Sequence, residues 1–425
     1  MPIKTVKRIS LLTWLALAFA ISPALVLSGC GPTESSKNTI SGTPSPASSD
    51  ASTAPMPKDT APQAKGAGEI VVKIGTAAPL TGPQGHLGKD NENGTRMAID
   101  DLNAQGVEIG GKKAKFELIS EDDQSDPKTG TIVAQKLVDA GVNGVIGHFN
   151  SGVTIPASKI YYDAGIPQIS PSSTNPKYTH QGFKTAFRVV ANDIQQGTVD
   201  GEYAVKKLGA KRIAIIDDRT AYGQGLADEF EKAVKANGAE IVSREYTNDK
   251  ATDFMAVLTI VKSKGADLLF YAGVDGQSGP MRKQMKRLAI NAKFMTGSAS
   301  CTPVFIKLAG DDAEGAYCSR AGVPVTKMPR GKAFQDRFNA KYGEIQNYAP
   351  YCYDAVNVLI AAMKAAGSAE PSKYLPELGK VEYDGVTAKI SFDPNGDLKV
   401  ASVTVFQDKN GKWEALETET VAARN

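Results

Sequence analysis

The chain lacks an excess of charge of either sign. Its 425 residues carry 49 basic and 46 acidic side chains, so there is no basic field to bind a nucleic-acid backbone. Histidine is scarce: His86, His148 and His180 are the only three, and their spacing from one another and from cysteine is not that of a metal site. His148, beside a strand end, reads as a structural hydrogen-bonder. Cysteine is limited to Cys30, Cys301, Cys318 and Cys352, with no C-x-x-C pair. No G-x-S-x-G nucleophile elbow occurs. Gly106–Lys112 has the spacing of a phosphate loop, but Lys113 stands where a magnesium-binding hydroxyl is needed. The acidic trio Glu121-Asp122-Asp123 fits a solvated loop and cap better than a metal site. No nucleophile–base pair, metal or cofactor is therefore expected, and the chain reads as a non-enzyme.

Long apolar runs are also missing, apart from one at the start. Lys4, Lys7 and Arg8 precede Ile9–Val26, about 18 residues at the short end for spanning a bilayer. Leu27-Ser28-Gly29-Cys30 follows, and the whole describes a secretory signal. Its end resembles a bacterial lipobox, closing a lipoprotein signal over residues 1–30 in which Cys30 is lipidated and becomes the mature N-terminus; the competing reading is a plain membrane anchor. Residues 31–68 are rich in Ser, Thr, Pro, Ala and Gly with almost no large apolar side chain. Such a stretch cannot bury a core and reads as a disordered tether with a reach on the order of 35 Å. The remaining Glu69–Asn425, about 357 residues, is too long for one ordinary core and fits two lobes.

Within that part, short apolar runs alternate with longer amphipathic ones, the pattern of an α/β fold with mainly parallel strands. Strands are expected at Val71–Ala77, Phe116–Ser120, Arg212–Asp217, Glu240–Tyr246, Asp267–Ala272 and Lys293–Thr296. Asp384–Phe392 and Val400–Phe406 close the series. Helices are expected over Arg96–Asn103, Lys128–Asp139, Ile194–Leu208, Tyr222–Asn237, Gly279–Leu288 and Ala349–Ala366, with Pro79–Gly94 as a loop.

The most informative stretch is GHFNSGVTIPASKIYYDAGIPQISPSSTNP, Gly147–Pro176. A strand ends at Gly147, a helix begins near Asn150-Ser151 with Ser as a capping type, and the strand Gln168–Ser170 runs into the loop Pro171–Thr174. Two consecutive parallel strands thus end in hydroxyl-rich loops, where open α/β sheets hold their ligands. Hydroxyls beside bare helix N–H groups form a neutral cradle suited to a carboxylate. Ordinary helix capping is the plain alternative, weakened by the repetition on neighbouring strands.

This segment resembles the ligand loops of the leucine/isoleucine/valine-binding proteins, the periplasmic receptors of branched-chain amino acid ABC importers. Further matching blocks are APLTGPQGHLGKDNENG from Ala78, EDDQSDPK from Glu121, IDDRTAYGQGLADEF from Ile216 and FDPNGDLK from Phe392. The resemblance implies a type I periplasmic-binding-protein fold, two doubly wound lobes joined by three crossing strands near Asn192, Arg320 and Pro394. One lobe would be 69–192 plus 321–393, the other 193–320 plus 394–425. It implies a monomeric, exported receptor, lipid-anchored on the periplasmic or cell-surface side, that passes an aliphatic amino acid to permease and ATPase subunits. A ligand sensor of the same fold without transport is the alternative. Residue by residue, Ser151 and Thr174 match hydroxyl ligands of the carboxylate, Ser172 a backbone contact, and Tyr222 an aromatic from the second lobe. His86 and Leu87 fall where a large side chain covers the ligand. Val274 stands where some members have Tyr, and Ser298 where some have an acidic ammonium partner.

Because Ser298 offers only a dipole, Asp275, in the loop after the strand ending at Ala272, is expected to hold the ammonium; helix capping is its plain role. Cys301 and Cys318 flank a helix expected from Thr302 and are expected to pair in the oxidising exterior, with Cys301–Cys352 and Cys318–Cys352 as alternatives.

Overall fold

The alternation resolves into two parallel sheets in the computed structural model, which describes residues 68–422. The signal, Cys30 and the tether lie outside the described residues. The first sheet contains β1 (Ile70–Ala78), β2 (Glu108–Ile109), β3 (Lys112–Asp122), β4 (Gly144–Gly147), β5 (Gln168–Ser170) and β6 (Ala186–Arg188). Their order is β2-β3-β1-β4-β5-β6, all parallel except the β2–β3 hairpin. That hairpin is what the phosphate-loop-like Gly106–Lys112 segment forms. The second sheet contains β7 (Arg212–Asp217), β8 (Glu240–Tyr246), β9 (Leu268–Ala272), β10 (Lys293–Thr296) and β11 (Tyr317–Arg320). After a small ribbon of β12 (Tyr383–Asp384) and β13 (Lys389–Ile390), the antiparallel pair β14 (Val400–Lys409) and β15 (Lys412–Ala422) extends the second sheet's edge.

Helices cover both faces of each sheet, which is why the parallel strands are continuous apolar runs. Those between strands of the first sheet are α1 (Gly85–Gln105), α2 (Pro127–Asp139) and α3 (Ser151–Asp163). The second sheet is wound with α4 (Asp193–Glu202), α5 (Ala221–Ala236), α6 (Met255–Ser263), α7 (Asp275–Arg287) and α8 (Pro303–Ala309). The chain then runs back through α9 (Gly331–Tyr342), α10 (Ala349–Ala366) and α11 (Pro371–Leu378), with Leu359 and Met363 of α10 buried in the same hydrophobic core as Val72 and Ile74 of β1. The path therefore passes between the sheets after β6, after β11 and before β14.

Several elements depart from the sequence reading. Helix α1 starts at Gly85, eleven residues before the expected Arg96, because two glycines in Gly85–Gly94 serve close approach rather than a turn. A Cβ on Gly88 would lie 1.9 Å from the Pro79 carbonyl oxygen, and one on Gly94 would lie 2.3 Å from that of Ala349. Helix α7 begins at Asp275 rather than Gly279. The expected helix over Ile194–Leu208 is α-helical only to Glu202 and closes with a wider turn over Tyr203–Lys207. The strand expected over Asp384–Phe392 is interrupted, leaving only β12 and β13. Helix α11 and strand β15 went unread; along β15 most side chains are exposed and polar, so it carries no core-facing signal. Cys301 and Cys318 are joined, with Cα atoms 5.4 Å apart, and Cys352 is buried in α10 without a disulfide partner.

A buried ion pair stands where β6 leaves the first sheet. The fully buried Arg188 donates from Nε to Asp397 Oδ1 at 2.8 Å. Thr179 and Asn192 donate to the same carboxylate at 2.8 and 3.0 Å. Burial pushes the Asp397 carboxyl up, but the charge and hydrogen bonds of Arg188, with those of Thr179 and Asn192, hold it below its ordinary value. Its stabilising contribution is thus present above the unfolded carboxylate range and lost as pH falls through the lower folded value. Arg188→Met, which strands Asp397, is expected to cost about 3–5 kcal/mol; denaturant unfolding measures it, and a loss under 1 kcal/mol would show that the pair contributes little.

Candidate functional site

The carboxyl ends of the two sheets face a common cavity of about 240 Å³. From the first lobe come Gln84, Ser125, Phe149, Asn150, Ser151, Gly152, Ser172 and Tyr348; from the second come Asp218, Thr220, Ala221, Tyr222, Asp249, Val274 and Ala299. A larger hollow of about 330 Å³ lies between α4 and β15 and touches none of these loops.

Local sequence explains the cradle. Gly147-His148-Phe149 ends β4, and α3 begins at Ser151 with Asn150 in the cap position. Asn150 makes no side-chain cap bond; its amide nitrogen donates instead to Gln84 Oε1 at 2.8 Å. Ser151 is therefore the first helical residue, not the cap; the Val153 N–H donates to the Asn150 carbonyl at 3.0 Å, and the N–H groups of Ser151 and Gly152 are left open beside the cavity. Its hydroxyl accepts from the Asn175 N–H at 3.2 Å and from Ser173 Oγ at 3.3 Å, so its own hydrogen is available to a ligand. Ser172, also on the lining, donates to the Phe149 carbonyl at 3.1 Å.

Thr174 is fully buried behind that surface rather than on it. It faces Asp193, whose N–H donates to the Thr174 carbonyl at 2.8 Å. Burial pushes the Asp193 carboxyl up to about 7, against the opposing pull of the Thr174 hydroxyl and the Arg188 charge. The Arg188 guanidinium holds the carbonyls of Ser173 and Asn175 at 2.8 and 3.1 Å, so the loop around Thr174 is clamped from beneath.

Tyr222, in the first turn of α5, lines the cavity, and its hydroxyl accepts from the Ala299 N–H at 3.3 Å. Val274 lines it from the loop before α7. His86, Leu87, Asp275 and Ser298 do not. Asp275 is fully buried, and its Oδ2 is 2.7 Å from His86 Nε2 and accepts from Thr302 Oγ1 at 2.6 Å. Asp275, expected as the ammonium partner, thus joins the lobes to each other and stands off the cavity lining. Ser298 Oγ donates to Gln196 Oε1 at 3.3 Å, and its carbonyl accepts from Asn347 Nδ2 at 2.8 Å. Leu87 is buried in the first-lobe core.

Two contributors went unread. Asp90 accepts the N–H groups of Gln346, Asn347, Tyr348 and Ala349 at 2.7–3.0 Å, anchoring the start of α10 and with it Tyr348 and Asn347; no local pattern announces a cap supplied from 256 or more residues away. Asp218, at the end of β7, lies inside the block IDDRTAYGQG, which was read only for Tyr222. The acidic trio is engaged structurally: Asp122 accepts from the Leu80 N–H and Thr81, and the buried Asp123–His148 pair is 2.8 Å apart, with His148 in turn 3.0 Å from the Tyr161 hydroxyl.

Two lobes with a cleft between strand ends define a solute-binding receptor fold. Residues 71–412 match the family model described as periplasmic binding protein, and the chain belongs to that family. It is 36% identical to an amino acid binding protein of Pseudomonas aeruginosa over 81% of this chain and 92% of that one. Against a Leu/Ile/Val-binding protein homolog of Brucella abortus the identity is 37%, over 81% and 90%. Among solved structures, LivJ of Streptococcus pneumoniae, a branched-chain amino acid transporter substrate binding protein in complex with isoleucine, superposes with a TM-score of 0.75. It is 29% identical over 83% of this chain and 100% of that one. The leucine binding protein LivK of Thermotoga maritima gives the same TM-score at 27% identity, over 82% and 98%.

Two outcomes follow from the geometry. A carboxyl raised to about 7 by burial contributes stability below its unfolded value that is lost as pH rises toward 7. Asp193→Asn is therefore expected to raise the melting temperature at pH 8 more than at pH 5; an equal shift at both would refute the assignment. Removing the interlobe partner with His86→Ala leaves Asp275 short of a charge-assisted hydrogen bond worth about 1.5–3 kcal/mol and is expected to favour the open form. Small-angle scattering of the unliganded protein would show a larger radius of gyration, and an unchanged radius would count against the contact.

Proposed function

We propose that this chain is an extracytoplasmic solute receptor that captures an aliphatic, branched-chain amino acid between its lobes and delivers it to the permease and ATPase of an ABC importer. The observation that carries this is the uncapped start of α3, with the Ser151 hydroxyl hydrogen unused, on a small interlobe cavity whose apolar and aromatic lining is Phe149, Val153, Tyr222, Val274 and Tyr348, beside polar groups that include Ser172, Asp218, Arg219 and Asp249. Neutral donors suit a carboxylate, and apolar walls suit an aliphatic side chain. The leucine and isoleucine named for relatives of the same fold support the choice of ligand.

In this reading the ligand enters an open cleft, its carboxylate meets the first lobe at Ser151 with Thr174 behind it, and the second lobe closes with Tyr222 and Val274. Closure is a population shift whose size is limited by the ligand's preference for the closed form. The lobes are taken as 69–192 plus 321–393 and 193–320 plus 394–425, the receptor as a monomer held to a bacterial membrane through lipid on Cys30. The permease reads the closed form, and no bond is made or broken.

Calorimetric titration of the full chain with the common amino acids tests the reading. Leucine, isoleucine or valine should bind best, and no binding of any amino acid would refute it. Ser151→Ala is expected to weaken leucine binding by about 1.5–3 kcal/mol, on the order of 10–150-fold, since it removes one hydrogen bond to a charged group. Thr174→Ala should act in the same direction. Wild-type affinity in Ser151→Ala would remove the cradle.

A further inference from the structure

We propose that Asp218, at the carboxyl end of β7, is the second-lobe group that holds the ammonium of the bound amino acid. The inference rests on the reading of the cavity as an amino-acid site and assigns the half of the zwitterion that the Ser151 cradle leaves unmatched.

Asp218 lines the same cavity as Ser151, from the opposite lobe. It is 2% exposed. One of its oxygens is engaged locally: Oδ1 accepts the Thr220 N–H at 2.9 Å and the Thr220 hydroxyl at 2.6 Å, shaping the turn into α5. The other, Oδ2, is buried with no hydrogen-bond partner. A desolvated carboxylate oxygen without a donor is costly, and an acceptor of this kind on a ligand cavity matches a charged N–H donor.

No basic side chain among the described residues forms an ion pair with Asp218. Arg219 lies over the Tyr246 ring at 3.8 Å with Asp217 4.0 Å away, and Arg244 pairs with Asp217 and Asp228 at 3.0 and 2.8 Å. Burial, joined by repulsion from Asp249 and Asp217, pushes the Asp218 carboxyl up to about 6, which leaves it mostly ionised at neutral pH. The competing acceptors are less well placed. Asp275 also has a buried oxygen without a partner, Oδ1, but it stands off the cavity and binds His86 and Thr302 through Oδ2; the Ser298 hydroxyl gives its hydrogen to Gln196, and Asp249 is only half-buried.

The test compares leucine with 4-methylpentanoate, the same skeleton and carboxylate without the ammonium, by calorimetry on the full chain. Wild type should prefer leucine by at least about thirty-fold, the scale of a desolvated charge contact. Asp218→Asn keeps Oδ1 for the Thr220 turn but presents an N–H toward the ammonium. It should lower leucine affinity to near that of 4-methylpentanoate while leaving the latter's within about threefold. Asp218→Ser, which keeps a short acceptor for the turn and removes the charge, should behave the same way and decides the matter if the Asn variant does not fold. A leucine preference that survives in either variant overturns the assignment, as does a wild type that binds both compounds equally. A wild type that binds no amino acid at all instead fails the underlying reading.

Discussion

Arg188 and Asp397 meet where the first passage between the sheets runs beside the third, and the site depends on that pair. Arg188 is fully buried, so its guanidinium must find acceptors in a fixed geometry. It finds one in Asp397 and two more in the carbonyls of Ser173 and Asn175. The fork therefore joins the crossing segment at Asp397 to the loop that carries Thr174 and supports Ser151. A lysine there would supply the charge but not the planar spread of donors that reaches carboxylate and carbonyls at once. Asp397, Asn192 and the Thr174 loop are thereby tied into one cluster.

Contacts that reach across the cleft are fewer and of a different kind. His86 meets Asp275, Asn347 donates to the Ser298 carbonyl, and Asn175 donates to the Ala221 carbonyl at 2.6 Å. Each involves a side chain at or near a helix start, so each can break without disturbing a core. Asp90 links the two classes: by holding four N–H groups at the start of α10 it fixes Asn347, which crosses the cleft, and Tyr348, which walls it. The receptor is thus rigid within each lobe and lightly latched between them, which is what hinge closure around a solute needs.

Much of this could be read from the chain, and what could not has a common cause. The order of strands β7 to β10 and the loops holding Ser151 and Ser172 are local in origin: an apolar run, then a turn, then an amphipathic helix. Gly88 and Gly94 misled because their role is the close approach of Pro79 and Ala349, which no neighbouring residue signals. The contact of Asp275 with His86 is hidden for the same reason, since the two stand 189 residues apart. The cap reading of Ser151 failed by one residue, with the consequence that Asn150 occupies the cap position without capping. That vacancy is itself what makes the N-terminus of α3 available.

The two ends of a zwitterion pose unequal problems in a closed cleft. A carboxylate can be met by neutral donors, because helix N–H groups and hydroxyls supply several partial positive charges that need no counter-ion. An ammonium has no such option among hydroxyls alone, since its three hydrogens need acceptors and its charge a partner. Placing a second carboxylate in the first lobe beside Ser151 would repel the ligand's own. The compatible arrangement separates the charges by lobe, with neutral donors on one wall and a carboxylate on the other, so that a full zwitterion alone is satisfied from both sides when the lobes close. Asp218 stands where that arrangement requires an acceptor. A cleft organised this way couples recognition to closure: the first lobe binds the carboxylate in either state, whereas the ammonium is matched only in the closed one.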